Sequence, residues 1–251
     1  MVIQRLNMDN TWLIELSSVK FLIDPWMHGS EIDFFSWFNT QWHKEQPVDY
    51  NNLPHFDWIV ITQKYPDHFH IETLLKLQPH KLIVPETIEQ KIRKLFPEAQ
   101  VVSFGRKNKS FMIDDVEFLW FPSSRKIDPI YDALFIADKN ESVFLATHGY
   151  SFNNDKADKG RRVKLLITPF NYYKLPFFLG GIVSPGIKGL KYLNDKLQPE
   201  YIAATHDEDK VSKGLVTRLA AVNRVSKNDL RPFPELFNKI VDLNHYQPLE
   251  L

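Results

Sequence analysis

The chain has no cysteine among its 251 residues. That excludes disulfides, a cysteine nucleophile and thiolate metal sites together. It also fits a reducing compartment, so the expected location is cytoplasmic. There is no charge excess either. Lys and Arg total 31 and Asp and Glu total 31, which leaves no basic field to draw nucleic acid to the surface. No apolar run approaches the ~20 residues of a membrane helix, and no membrane span is expected. Residues 1–6 lack the basic start and long apolar core of a secretory signal. Residues 179–186, Leu-Gly-Gly-Ile-Val-Ser-Pro-Gly, precede a helical pattern. They carry neither a Walker Gly-Lys-Ser/Thr nor a G-x-G-x-x-G, and no G-x-S-x-G elbow marks a serine nucleophile. No linker, low-complexity run or exact repeat divides the chain, so residues 1–251 read as a single domain.

What is present centres on residues 58–70. Trp58-Ile59-Val60-Ile61 has the length and β-branched content of a buried strand. It runs into Thr62-Gln63-Lys64-Tyr65-Pro66-Asp67-His68-Phe69-His70, and the apolar spacing after that predicts a helix to residue 77. Ligand-type side chains at the end of a buried strand, just before a helix, are where α/β proteins place their chemistry. Before this stretch, residues 2–6, 11–16 and 19–23 predict a meander of short strands. Residues 27–52 carry Phe34, Phe35, Trp37, Phe38, Trp42 and Tyr50, and are expected to pack on the core and to wall a pocket. After it come a strand at 81–84, a helix at 86–96 and a strand at 101–103, a parallel βαβαβ run.

A second meander follows at 111–114, 116–121, 131–137 and 142–147, then a polar loop at 153–162 and a strand at 164–168. Residues 170–178 read as irregular, 185–197 as an amphipathic helix, 200–205 as a strand and 214–223 as a helix; 239–243 predict a final strand. Two halves of this kind, each a meander followed by strand–helix units, suit two sheets facing each other with helices outside both.

Three predicted strands end alike. Residues 59–62 lead to Asp67 and His68, 143–147 to His148 and 201–205 to His206. One histidine after a strand is most often a hydrogen-bonded loop residue. Three such ends in one small chain point to convergence on a metal, and Asp and His are ligands for hard-to-borderline ions.

These residues resemble the metallo-β-lactamase superfamily, in particular its lactonase-like branch. Residues 10–26, with Phe21-Leu22-Ile23-Asp24-Pro25-Trp26, resemble its opening strands. Residues 61–70 align on its His-x-His-x-Asp-His signature, and Ile167-Thr168-Pro169 and Thr205-His206-Asp207-Glu208 resemble its late strands. The resemblance implies a four-layer αββα sandwich of the α/β class, with two mixed sheets and helices outside. It also shows departures. Gln63 and Tyr65 stand where the signature has its first two histidines, no histidine falls near 123–125, and the bridging Asp is replaced within Ala146-Thr147-His148-Gly149. What the resemblance then implies is one divalent metal, Zn²⁺ first and Mn²⁺ or Fe²⁺ otherwise, on Asp67, His68, His206 and His148.

The expected activity is metal-dependent hydrolysis of a small ester, lactone or phosphorylated metabolite. Asp67 and Tyr65 take catalytic roles, Tyr65 as an oxyanion donor. Asp24, Gln63, His70 and Asp207 support the metal ligands or line the pocket. The competing expectation is a non-catalytic protein of the same fold that binds a ligand, a partner or a second copy of itself through its aromatic loops. A nuclease role is disfavoured by the neutral charge balance.

Overall fold

The computed structural model describes residues 1–123, 129–151, 161–241, 243 and 246–251. Most of the polar loop expected at 153–162 lies outside them, as do residues 124 and 125. In chain order the first elements are β1 (Val2–Arg5), β2 (Trp12–Leu16), β3 (Val19–Ile23), β4 (Ser30–Asp33), β5 (Asn39–Trp42) and β6 (Trp58–Val60). Next are α1 (Ile71–Leu77), β7 (Lys81–Pro85), α2 (Glu89–Leu95), β8 (Gln100–Phe104), β9 (Ser110–Ile113) and β10 (Val116–Phe121). They continue as β11 (Ala133–Ala137), β12 (Ser142–Leu145), β13 (Leu165–Thr168), β14 (Tyr172–Lys174), β15 (Ile182–Pro185) and α3 (Ile187–Leu197). The last are β16 (Tyr201–Ala204), β17 (Val211–Lys213), α4 (Leu215–Leu219), β18 (Ala221–Asn223), α5 (Pro234–Phe237) and β19 (Leu249–Glu250). Mixed sheets with helices place the chain in the expected α/β class. Among the described residues, no helix is long and apolar enough to cross a membrane.

The chain divides into two compact units. The first comprises Met1–Val116, Glu208–Leu215 and Leu243–Leu251. Its main sheet has the order β19-β1-β2-β3-β6-β7-β8. The meander β1-β2-β3 is antiparallel; Ser17 and Ser18, both at positive φ, make the tight β2–β3 turn. From β3 to β8 the pairing is parallel. Burial follows from that pattern: β6 is buried along its whole length, and Leu22, Ile59, Leu74, Leu82, Ile92 and Phe96 form one apolar cluster. A small sheet, β17-β5-β4, completes the unit.

The aromatic stretch departs from expectation here. β4 and β5 form a hairpin whose connection leaves Phe34, Phe35 and Trp37 at 82%, 62% and 65% exposure rather than in the core.

The second unit comprises Glu117–Asp207 and Val216–Asp242. In it β10, β11 and β12 run antiparallel, and β12, β13 and β16 run parallel. Phe135, Phe144, Leu166, Leu190, Leu193 and Ile202 form its core. Two expectations are corrected. The helix read over 214–223 stops at Leu219, because Ala221–Asn223 instead pairs with β14, inside the segment read as irregular. The final strand read at 239–243 is reduced to a single bridge, Ile202 to Ile240. The strand found near the C-terminus is β19, paired with β1 in the first unit.

The burial pattern gives a stability test. Ile59→Ala, at a fully buried position, is expected to cost about 3 kcal/mol, whereas Leu75→Ala on the exposed side of α1 costs less than about 1 kcal/mol in urea titrations.

Candidate metal centre

In the first unit the site begins where two parallel strands end. Asp24 follows β3 and adopts a left-handed backbone with φ 45°, which Asp tolerates better than bulkier residues. Its N–H donates to the Val60 carbonyl (2.8 Å), which fixes the carboxylate over the end of β6. That carboxylate accepts from the Thr62 N–H (2.6 Å), the Thr62 hydroxyl (2.5 Å) and Nδ1 of His68 (2.7 Å). A proton held on Nδ1 leaves Nε2 as the ligand atom of a neutral ring. His68 is fully buried, and its Nε2 lies 3.7 Å from Oδ2 of Asp67. Burial opposes the charged ring, but Asp67 and Asp24 beside it outweigh burial and raise its pKa to about 9.

The other positions of this loop are equally defined. Asn10 Nδ2 donates to the Asp67 carbonyl (2.9 Å), and the N–H groups of His68 and Phe69 donate to the Tyr65 carbonyl, closing a turn. Gln63 is buried and Tyr65 half-buried, with Lys64 Nζ 5.4 Å from the Tyr65 ring. His70 caps α1: its Nδ1 accepts from the Thr73 N–H (3.3 Å) and bonds the Thr73 hydroxyl (2.8 Å), while its Nε2 bonds the Ser30 carbonyl (3.2 Å). Burial lowers its pKa, and both nitrogens serve local structure.

In the second unit His148 follows β12 in a turn closed by Gly149 N–H to the Ala146 carbonyl (2.8 Å). Gly149 has φ 85°, and a Cβ there would meet Pro185 Cγ at 2.8 Å, so the turn requires glycine. His206 follows β16, also left-handed at φ 51°. Its carbonyl accepts from Asn171 Nδ2 (3.2 Å), and Asn171 is itself fixed by Val225 N–H and by the Ser184 hydroxyl. The His148 and His206 rings lie 4.5 Å apart, centroid to centroid. Asp207 is half-buried after His206.

Asp67 and His68 in the first unit, and His148 and His206 in the second, are the side chains of these strand ends that offer metal-ligand atoms. Three imidazoles and a carboxylate are the donor chemistry of Zn²⁺, Mn²⁺ and Fe²⁺ sites.

No family model matches the sequence, and no curated protein matches it. Solved structures do. The isothiocyanate hydrolase from Delia radicum gut bacteria is similar over 100% of this chain and 99% of its own, with a TM-score of 0.71 and 15% identity. Igni18, a metallo hydrolase from Ignicoccus hospitalis, is similar over 100% of both chains, with a TM-score of 0.67 and 13% identity. The metallo-β-lactamase fold protein YhfI from Bacillus subtilis is similar over 99% of each chain, with a TM-score of 0.65 and 11% identity. This chain has the metallo-β-lactamase fold. That match bears out the αββα class expected from the sequence.

On this metallo-β-lactamase fold, several residues around Asp67 carry no sequence signal of their own. Thr62 bridges Asp24 and the His68 loop, and only its place after β6 hints at that. Lys210 is half-buried, and its Nζ donates to Asp9 Oδ2 (2.9 Å) across 201 residues of sequence. Burial would lower its pKa, but Asp9, Asp67 and Glu31 raise it. Glu208 accepts from His43 Nδ1 (2.7 Å) and the Lys44 and Glu45 N–H groups (2.7 and 3.2 Å), which fastens residues 43–45.

The Asp24–His68 pair makes a pH prediction for chelator-treated protein. A histidine pKa raised from 6.5 to about 9 contributes stability that is full below pH 6.5 and lost as pH rises through about 9. The loss is on the order of 3 kcal/mol. The melting temperature of the parent should therefore fall over that window, and the fall should flatten in Asp24→Asn. A parent that grows more stable from pH 6.5 to 9 relative to the variant contradicts the pairing.

Proposed function

We propose that this protein is a metal-dependent hydrolase with one metal, held by Asp67, His68, His148 and His206, that cleaves a small ester, lactone or phosphorylated metabolite. The reading takes residues 1–251 as a single cytoplasmic domain akin to the lactonase-like branch. The observation that carries it is a ligand pair at the strand ends of each unit, Asp67 Oδ2 3.7 Å from His68 Nε2 in the first and the His148 and His206 rings 4.5 Å apart in the second. The hydrolases of the same fold among the similar structures support it.

A divalent ion bound there, Zn²⁺ first and Mn²⁺ or Fe²⁺ otherwise, supplies a Lewis acid and an acidified water. The chain's own residues do the rest. Asp24 keeps a proton on Nδ1 of His68 and so holds the ring with Nε2 available. Asp67, its carbonyl fixed by Asn10, serves as ligand and as the acceptor of a proton from the attacking water. The Tyr65 hydroxyl donates to the oxygen that gains negative charge, and Gln63 and Asp207 line the substrate site. Gln63 and Tyr65, in place of the signature's first two histidines, limit the site to one ion.

A second reading has its own support. Phe34, Phe35 and Trp37 are exposed on one hairpin, and Phe177 and Phe178 are exposed at 94% and 79% on another loop. A non-catalytic protein that binds a partner or a second copy through these rings would need no metal.

Elemental analysis of protein purified without chelator separates the two. The hydrolase reading expects about one equivalent of metal, lost in His68→Ala and in His206→Ala, together with a drop of at least ~100-fold in ester hydrolysis. A parent that takes up no Zn²⁺, Mn²⁺ or Fe²⁺ when these are added overturns it in favour of the binding protein.

A further inference from the structure

The small sheet β17-β5-β4 of the first unit carries apolar residues on an exposed face. Its register sets Ser30, Trp42 and Val211 in one row and Ile32, Thr40 and Lys213 two residues along. Residues two apart on a strand share a face. Ile32, Trp42, Val211 and Lys213 therefore lie together, and Glu31, on the opposite face, is buried. The aromatic β4–β5 turn continues this surface. The chain after β17 is pressed against it: the Leu215 N–H donates to the Trp37 carbonyl (3.1 Å), and a Cβ at Gly214 would meet the Phe38 carbonyl oxygen at 2.5 Å. Ile32, Phe34, Phe35, Trp37, Val211 and Leu215, each 40% exposed or more, form one apolar stretch of surface.

Two features mark the turn as built for contact. Phe34 has a left-handed backbone, φ 59°, where a bulky residue is strained and glycine is not. Its ring is largely exposed, so burial within its own chain does not offset that strain. The rings are also ordered in advance. Phe35 and Trp37 stack at 5.8 Å with 6° between their planes, and Phe34 meets Phe38 edge-on at 5.6 Å. A cluster already held in place loses little freedom on docking, and aromatic rings dominate the energetics of protein interfaces.

Area and charge decide what covers the surface. An aromatic side chain presents about 150–250 Å², so the three exposed rings leave roughly 400 Å² open. Two copies face to face would bury about twice that from the rings. The three aliphatic residues carry the total toward the ~1,200 Å² at the low end of stable interfaces. A lipid surface is the poorer match. Lys213 is the one cation of the sheet face, and Asp33 stands at the base of the turn, whereas interfacial binding to anionic lipid draws on clustered cations. A second copy matches the charge as well. Lys213 Nζ already lies 5.7 Å from the Trp42 ring, and the turn offers further rings to a partner's ammonium, so one surface supplies both halves of the contact. Edge pairing is disfavoured, because the Ser30 carbonyl of edge strand β4 already bonds His70 Nε2 (3.2 Å).

We propose that this face and its aromatic turn pair with the same surface of a second copy about a two-fold axis, so that the protein is a homodimer. The pairing goes beyond the proposed activity and depends on neither reading of it: a hydrolase and a binding protein would carry it alike.

Sedimentation equilibrium of the full chain, as purified and after chelator treatment, tests this at concentrations from about 1 to about 100 μM. Both preparations are expected to reach twice the 29.5 kDa chain mass. Phe35→Ser and Trp37→Ser should each raise the dissociation constant at least about 30-fold, the scale of an interface hot spot, while the circular dichroism spectrum stays that of the parent. If one variant does not fold, the other decides. Phe177→Ser, at an exposed ring of the second unit, should leave the constant unchanged. A parent that stays monomeric in either preparation overturns the proposal. So does a dimer that the folded turn variants leave intact, or one that Phe177→Ser weakens as much as they do. Phosphatidylcholine vesicles that capture a monomeric parent but not Trp37→Ser overturn it in favour of a lipid surface. A dimer that survives chelation upholds it even where the metal analysis has overturned the hydrolase reading.

Discussion

The carboxylate of Asp24 is the constraint on which the first half of the site depends. It sits at the end of β3, and its hydrogen bonds reach the chain after β6: Thr62 twice and His68 once. Remove it and two things fail together. The loop from Thr62 to His68 loses its anchor to the neighbouring strand, and His68 loses the acceptor that settles which ring nitrogen holds the proton. The backbone cost is visible in the left-handed φ of 45° at Asp24. A strained residue of this kind persists only where its surroundings over-determine it, and three hydrogen bonds to one buried carboxylate do so.

His206 has the same combination in the second unit. It too follows a buried strand, adopts a left-handed φ and has its backbone fixed by a side chain, here Asn171. Glycine takes the left-handed region at no cost, yet at both positions the chain keeps a residue with a ligand-type or ligand-supporting side chain. Sheet geometry alone would not require that. A need for that side chain at the strand end does.

How much of this was legible in the sequence depended on range. β6 could be read because a run of β-branched and aromatic residues flanked by polar ones fits little except a buried strand, and α1 because its apolar spacing follows directly. Asp67, His68, His148 and His206 could be picked out because each follows such a run. Elements decided by partners elsewhere could not. Ala221–Asn223 falls at the end of the helical pattern read from residue 214 but is strand in the fold, since β14 offers it a ladder that a local reading cannot anticipate. Phe34, Phe35 and Trp37 look like core in any composition-based reading, and only the β4–β5 pairing shows that their positions fall at an exposed hairpin tip. Lys210 and Asp9, 201 positions apart, carry no sequence signal that would pair them.

The electrostatics around Asp67 argue against treating it as a ligand and nothing more. Its charge helps raise the pKa of His68, of Lys210, of Glu31 and of Asp33. For the two cations that is stabilising, and for the two carboxyls it is repulsion. A change at Asp67 would therefore alter the electrostatic field at four neighbours at once, and an Asp67→Asn phenotype could not be assigned to lost coordination alone. Asp24 is the cleaner probe, because among the described residues its carboxylate bonds only Thr62 and His68.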